Sequence, residues 1–134
     1  MTQHQREPLR FETLDVGRTF PPLRVTIDVA QVGAYVDATG DDWPGYDRIV
    51  PPGYAAILGR QAYLRHYDMP PGGVLLRETI EWIKPARIGI ETIVQARVVD
   101  RSQQGNRRRV VFAAVARQQG EDVARVEIHA GWPA

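Results

Sequence analysis

The sequence contains no cysteine, and this absence excludes disulfide bonds, thiolate catalysis and cysteine-ligated metals together. Histidine is scarce as well. The three histidines, His4, His66 and His129, lie far apart and match no metal-binding spacing such as H-x-x-x-H. We therefore expect neither a redox-active thiol nor a bound metal.

An excess of charge of one sign is also missing. Lys and Arg number 17 against 16 Asp and Glu, so the formal net charge is only +1. Such a balance offers no overall field to attract nucleic acid or an anionic membrane. The N-terminus lacks the apolar core of a signal peptide, and no apolar run approaches the roughly 20 residues of a membrane span. These features predict a cytoplasmic protein with neither nucleic acid nor membrane as a partner.

With 134 residues, the chain is long enough to bury one hydrophobic core without covalent cross-links. We therefore predict a single domain over residues 1–134. The first residues are polar and carry no periodic apolar pattern, so residues 1–8 are expected to form a flexible tail.

Residues 51–67 are predicted to form a long central helix. Pro52 suits a first helical turn, where its missing N–H has no partner to lose. Apolar residues then cover more than one face of the helix, and Gly59 permits close approach of a neighbouring element. Two prolines and two glycines at residues 70–73 stop the helix. A helix that is apolar over so much of its circumference is expected to be wrapped by a sheet.

Two elements precede this helix. Alternating apolar residues from Leu23 predict a half-buried strand within residues 18–27. Asp28 is a suitable N-cap for a short amphipathic helix over residues 29–39, with Gly40 as its stop. The intervening residues 41–50 have no regular pattern, and loops of this kind often carry function.

The C-terminal half is predicted to be an antiparallel meander of four strands. Its segments are rich in β-branched residues and alternate in polarity. Two breaks between them, at residues 102–106 and 118–122, have the composition of hairpin turns. The strands are expected at residues 74–84, 90–99, 108–117 and 123–132.

The order of strand, short helix, loop, long helix and four strands is that of the α+β hotdog fold, in which a curved antiparallel sheet wraps a central helix. Four segments also resemble the MaoC-like hydratases and dehydratases, in particular the branch related to the fungal fatty-acid-synthase dehydratase domain. They are AYVDATGDDWP at residues 34–44, IVPPG at 49–53, IKPARIG at 83–89 and QGEDVA at 119–124.

The resemblance implies hydration or dehydration of an acyl thioester that is carried on the pantetheine of coenzyme A or an acyl carrier protein, with no other cofactor. In that family an aspartate and a histidine five residues later perform the acid–base chemistry. Asp41 matches the aspartate, but Tyr46 occupies the position of the histidine. Gly53 falls near the backbone N–H that would hold the thioester oxygen, where the helix dipole favours negative charge.

A tyrosine of ordinary pKa, about 10, donates a proton but is a poor base near neutral pH. The usual dyad is therefore incomplete. The segment between Tyr46 and Ile49 is also shorter than in the family, which implies either a pocket open to a bulkier substrate or one that no longer performs this chemistry.

Each candidate residue has a structural interpretation beside the functional one. Asp41 and Asp42 are also suitable as turn-capping carboxylates, and a one-residue shift of the loop would exchange them. Trp43 and Tyr46 are candidate packing residues, and Gly53 is also explained by the turn that precedes the helix. With Tyr54, the side chains Trp43 and Asp42 are candidate substrate contacts.

Three functional hypotheses follow. The first is a catalyst with Asp41 as base and Tyr46 as donor, acting on a small-molecule acyl thioester. The second is a non-catalytic subunit that forms a heterodimer with another hotdog chain. The third is a repurposed pocket, such as a polyketide-type cyclase or isomerase, which a wide apolar cavity lined by Trp43, Tyr46, Tyr54 and Trp82 would favour. A homodimer with its pockets at the subunit interface is expected, because pairing buries an exposed strand edge.

Overall fold

The structure is a computed structural model that describes residues 6–133. Short 3₁₀ helices lie at Phe11–Thr13 and Pro44–Asp47. The other elements of the described chain are β1 (Glu7–Pro8), β2 (Leu23–Thr26), α1 (Val29–Thr39), α2 (Tyr54–Leu64), β3 (Tyr67–Asp68), β4 (Val74–Trp82), β5 (Glu91–Gln104), β6 (Arg107–Gln118) and β7 (Glu121–Trp132).

Five of the strands form one antiparallel sheet in the order β2-β5-β6-β7-β4. Helix α2 packs against β4, β5, β6 and β7, so the central helix lies on the sheet as the sequence predicts. The α+β arrangement is therefore confirmed. Within residues 6–133, neither helix has the length and apolar character needed to cross a membrane.

Helix α1 has the limits that its capping residues predict. The Asp28 carboxylate accepts a hydrogen bond from the Gln31 N–H at 2.8 Å, and the Gln31 side chain accepts one from the Asp28 N–H at 2.9 Å. This capping box satisfies two N–H groups at the start of the helix. Gly40 ends α1 in the left-handed region at φ 73°, which glycine adopts without steric cost.

Helix α2 is shorter than the predicted residues 51–67 at both ends. The N–H groups of Tyr54 and Ala55 bond to the carbonyls of Pro51 and Pro52 at 3.0 and 3.2 Å, which closes a tight turn ahead of the helix. At the other end, Tyr67 belongs to β3 and pairs with Glu7. Long-range strand pairing thus overrides the local helical tendency, and the predicted length was wrong.

The prediction of a flexible tail over residues 1–8 is wrong for its last three residues. Glu7 and Pro8 form β1, parallel to β3. The Arg6 guanidinium donates to the carbonyls of Leu64 and Arg65 at 3.1 and 3.2 Å and contacts Asp68 at 3.2 Å. Arg6 therefore caps carbonyls at the C-terminal end of α2, where a cation also suits the helix dipole. Residues 1–5 of the predicted tail lie outside the described chain.

The two hairpin turns are shorter than predicted, because only two residues separate β5 from β6 and β6 from β7. The β5–β6 turn consists only of Gly105 and Asn106. In the β6–β7 turn, Gln119 and Gly120 have φ values of 52° and 78°. Two consecutive positive φ values match the twist of antiparallel strands and are typical of a two-residue hairpin.

The segment between β4 and β5 is held by the side chain of Gln118. Its carbonyl accepts from the Arg87 N–H at 2.8 Å, and its amide donates to the carbonyls of Arg87 and Ile90 and to the Thr92 hydroxyl, at 3.0, 3.4 and 3.0 Å. Gln118 is 7% exposed and Thr92 is 2% exposed, so the bond between them is buried, whereas the bonds to Arg87 and Ile90 are partly buried. One buried amide therefore fixes residues 83–90.

We predict that Gln118→Leu lowers the free energy of unfolding by about 1–3 kcal/mol, because it removes these bonds and leaves the buried Thr92 hydroxyl and partly buried backbone groups without this partner. Gln103→Leu is the matched control, since Gln103 is exposed and bonds only to the carbonyl of Gly105. The control is expected to change stability by less than about 0.5 kcal/mol. Urea denaturation measures both values, and equal effects of the two substitutions would contradict the assignment.

Candidate active site

The loop between α1 and α2 brings Asp41 and Tyr46 together. The Asp41 N–H bonds to the Thr39 hydroxyl at 3.3 Å as the chain leaves α1. The 3₁₀ turn Pro44–Asp47 then reverses the chain direction. As a result, the Tyr46 hydroxyl donates a hydrogen bond to Asp41 Oδ2 at 2.7 Å. The two residues that the sequence singles out for acid–base chemistry therefore form a direct pair.

Asp42 takes no part in this pair. Its side chain is exposed and has no hydrogen-bond partner within residues 6–133. Of the two adjacent carboxylates, Asp41 is the one in contact with Tyr46.

Trp43 is fixed in place by Tyr46 and Gly45. The indole packs edge-on against the Tyr46 ring, with centroids 5.2 Å apart. Gly45 lies buried beneath it, and an added Cβ would stand 2.0 Å from two carbons of the indole. No other residue fits at position 45 while Trp43 keeps its place. The Trp43 side chain nevertheless remains 52% exposed.

Gly53 lies directly before α2, against the hydroxyl of Tyr35 on α1. A Cβ at position 53 would stand 1.9 Å from that hydroxyl oxygen, so a larger residue there would displace the Tyr35 side chain. The N–H groups of Tyr54, Ala55 and Ala56 bond to carbonyls three residues back. In the described chain, the Gly53 N–H has no such acceptor, which leaves it available at the positive end of the helix dipole.

A cavity of about 540 Å³ lies beside the start of α2. Its walls include Trp43, Tyr46, Ile49, Pro52, Trp82 and Pro85. The Trp82 indole N–H donates to the Pro52 carbonyl at 3.0 Å, which fixes the orientation of that ring. Tyr54, expected in the same cavity, is not among its lining residues and instead packs on the ring of Tyr35, with centroids 5.6 Å apart.

A larger cavity of about 710 Å³ runs along the exposed face of α2, and Arg6, Arg60, Arg65 and Glu78 are among its lining residues. None of the residues predicted for the active site lines it. The smaller cavity is therefore the one that adjoins the Asp41–Tyr46 pair.

The electrostatics of the pair keep its proton on the phenol. The hydrogen bond to Asp41, together with desolvation and the nearby negative charge, raises the pKa of Tyr46 to about 12. At neutral pH the site thus holds a protonated tyrosine and an acceptor carboxylate. Within residues 6–133, no group of three His, Asp or Glu side chains is arranged to hold a metal.

Sequence reasoning missed two residues that shape this site. Tyr35 belongs to the apolar stripe of α1, which predicts a packing role and gives no sign of its contact with Gly53. Gln118 lies in what the sequence predicts to be a hairpin turn, yet its amide fixes the segment that supplies Pro85 to the cavity. Nothing in the local sequence, which reads Arg117-Gln118-Gln119, distinguishes this glutamine from a turn residue.

Comparison with solved structures shows the fold. An R-hydratase from Pseudomonas aeruginosa matches with a TM-score of 0.78 and 21% identity, over 96% of this chain and 86% of that one. A MaoC-like dehydratase from Rhodospirillum rubrum matches with 0.71 and 20%, over 94% and 98%. A 3R-hydroxyacyl-ACP dehydratase complex from Mycobacterium tuberculosis matches with 0.73 and 17%, over 87% and 96%.

The chain therefore has the hotdog fold of R-hydratases and MaoC-like dehydratases, as its motifs predict. No protein-family model matches the sequence, and no curated protein matches it either. The likeness to the fungal branch stays a prediction. At these sequence identities the comparison shows the fold alone and does not show the activity.

We predict that Asp41→Asn lowers the pKa of Tyr46 toward 10, because the acceptor loses its negative charge. Wild-type Tyr46 should stay mostly protonated at about pH 11, where an ordinary tyrosine is mostly ionised. The raised pKa favours the folded state below about pH 10, and this contribution is lost as the pH rises toward 12. The Cζ chemical shift of ¹³C-labelled tyrosine, assigned with Tyr46→Phe, measures the titration.

Asp42→Asn is the control for this titration, since it removes an adjacent charge that makes no bond to Tyr46. It should shift the pKa of Tyr46 less than Asp41→Asn does. A wild-type Tyr46 that ionises near pH 10 would show that the pair does not form in solution.

Proposed function

We propose that the protein is a hydratase or dehydratase of acyl thioesters, in which Asp41 is the base and Tyr46 the proton donor. The substrate would be carried on coenzyme A or an acyl carrier protein through its pantetheine, with no further cofactor. The observation that carries the proposal is the 2.7 Å hydrogen bond between the Tyr46 hydroxyl and Asp41 Oδ2, beside a cavity at the start of α2.

In the hydration direction, the Asp41 carboxylate takes a proton from water, and the resulting hydroxide adds to C3 of the enoyl thioester. The electrons of the double bond move toward the thioester, and C2 then takes the proton of Tyr46. Protonated Asp41 returns its proton to the tyrosinate along their shared hydrogen bond, which restores both groups. The net change is addition of one water molecule.

The thioester oxygen gains negative charge during this step. In the proposal the Gly53 N–H donates to it, because a free donor at the positive end of α2 favours a developing anion. The raised pKa of Tyr46 does not prevent the transfer of its proton to C2, since the enolate carbon is a much stronger base than tyrosinate. Trp43 and Asp42 stand beside the pair as candidate substrate contacts, whereas Tyr54 would act only through Tyr35.

We expect hydration of crotonyl-CoA, or of a longer trans-2-enoyl-CoA, by the purified protein. Asp41→Asn should lower kcat by about 100-fold or more, because it removes the base. Asp37→Asn, an equal charge change on the exposed face of α1, should retain the wild-type rate. Loss of enoyl absorbance measures all three. Absence of turnover at every chain length would sink the proposal.

Two alternatives have specific support. A repurposed pocket, such as a cyclase or isomerase, is favoured by the lining of one cavity with Trp43, Tyr46 and Trp82. A heterodimeric subunit is favoured by the likeness to the Mycobacterium tuberculosis dehydratase, which is a complex. An inactive chain that co-purifies with a second hotdog protein would support the heterodimer.

We also propose that the chain pairs with a second copy along β4. This strand ends the sheet, and its residues Val74, Leu75 and Leu76 are 53%, 53% and 55% exposed. An apolar edge strand of this kind favours pairing with another strand. Because β4 also supplies Trp82 to the cavity, such a dimer would bring the partner close to the active site.

Sedimentation equilibrium should then give twice the mass of one chain for the wild type. Leu76→Lys should shift the equilibrium toward the single chain, because a buried unpaired charge opposes association. Val16→Lys is the control, since Val16 is a 62% exposed apolar residue away from β4. A wild-type chain that sediments as a monomer would contradict the homodimer.

A further inference from the structure

Two tryptophan rings in the cavity already have packing or hydrogen-bond partners within the chain. Trp82 is fixed by its hydrogen bond to the Pro52 carbonyl. Trp43 is fixed between the Tyr46 ring and buried Gly45, where no side chain would fit beneath it. The two sets of contacts share no residue, so each ring is oriented independently of the other. Rigid rings lose little conformational entropy when a ligand packs on them.

Part of the apolar wall of this cavity is exposed to solvent. Trp43 is 52% exposed and Ile83, another wall residue, is 40% exposed. Burial of apolar surface of this size is favourable, so the wall gains when an apolar group covers it. The chemistry of the wall is ring-rich: two indoles, a phenol and the rings of Pro52 and Pro85.

Among the described lining residues of this cavity, Lys84 alone is charged, and its ammonium is paired with the Glu121 carboxylate. A charged acyl group thus finds no unpaired partner among the described lining residues. Tyr46 lines the cavity, and its hydroxyl bonds to the carboxylate of Asp41, which is not itself among the lining residues. A ligand that suits both parts has a flat apolar end and a reactive carbon close to the pair.

We propose that this cavity selects an acyl group that carries an aromatic ring, in preference to a linear aliphatic chain of the same carbon number. The inference rests on the proposed function, of which it names the substrate class. A planar ring packs on fixed indoles in offset or edge-to-face geometry, and each such pair contributes beyond the area that it buries. A flexible chain gains only the area and loses rotational freedom on binding.

The test compares two saturated ligands, 3-phenylpropanoyl-CoA and nonanoyl-CoA, which have equal numbers of acyl carbons and no double bond to hydrate. Calorimetry then measures binding whether or not the protein is an enzyme. We expect the aryl thioester to bind about tenfold more tightly or better. In Trp43→Leu this preference should fall to within about threefold, because leucine keeps the cavity apolar and removes the ring.

Trp82→Leu is the second variant, and it provides the same test if Trp43→Leu does not fold. Loss of the aryl preference in either folded variant supports the inference. Equal affinity of the two ligands for the wild type, no binding of either, or an aryl preference that survives both substitutions would overturn it.

The enoyl counterparts, cinnamoyl-CoA and trans-2-nonenoyl-CoA, separate this inference from the proposed function. Hydration of both at equal efficiency would leave the hydratase in place and remove the aromatic preference. Aryl-selective binding without hydration of either would do the opposite, and would move the function to the repurposed pocket.

Discussion

Helix α2 lies so close to β7 that an added Cβ at Gly59 would stand 3.1 Å from Val126 Cγ1. This close packing places Leu58 and Tyr63 in the core, where the Tyr63 ring stacks on Phe112 with centroids 4.0 Å apart. Since the helix is fixed along its length, its first turn is fixed too. The position of Gly53, and with it the positive end of the helix dipole, depends on this contact.

A second set of contacts holds the loop between α1 and α2. These contacts come from the segment between β4 and β5. The Val50 N–H bonds to the Ala86 carbonyl at 2.8 Å, and the Ile88 N–H bonds to the Arg48 carbonyl at 2.9 Å. Residues 86–88 belong to the segment that Gln118 holds. The stem of a shortened loop is thus tied to the sheet, which allows Asp41 and Tyr46 to meet without the longer segment expected from the family resemblance.

The family resemblance places a histidine at position 46, where this chain has a tyrosine, and the two side chains support different chemistry. An imidazole exchanges protons near neutral pH in either direction. Tyr46, whose pKa the Asp41 hydrogen bond raises to about 12, is a donor only. In the proposed reaction the carboxylate would therefore supply the basicity and the phenol the acidity. Such a division of roles suits a reaction whose intermediate is a strongly basic carbon.

The sequence by itself determined the elements whose signals are local. The capping residues of α1, the glycine next to α2 and the alternating strands of the sheet are short-range patterns, and the fold followed from their order. Asp41 and Tyr46 were singled out by the family resemblance, because both lie in one short loop at the positions of the family's aspartate and histidine. Only the tertiary structure decided which of Asp41 and Asp42 faces Tyr46, and that Tyr35 touches Gly53.

The remaining differences have the same origin. Residues 65–67 were predicted to be helical but lie outside α2, because β1, some 60 residues earlier in the chain, pairs with Tyr67 and Asp68. Tyr54 does not line the predicted cavity, because its side chain packs on the ring of Tyr35 on another helix. Contacts between residues far apart in the chain leave no periodic trace in the sequence, since each partner satisfies its own local pattern. Their geometry exists only once α1, α2 and the sheet have packed together.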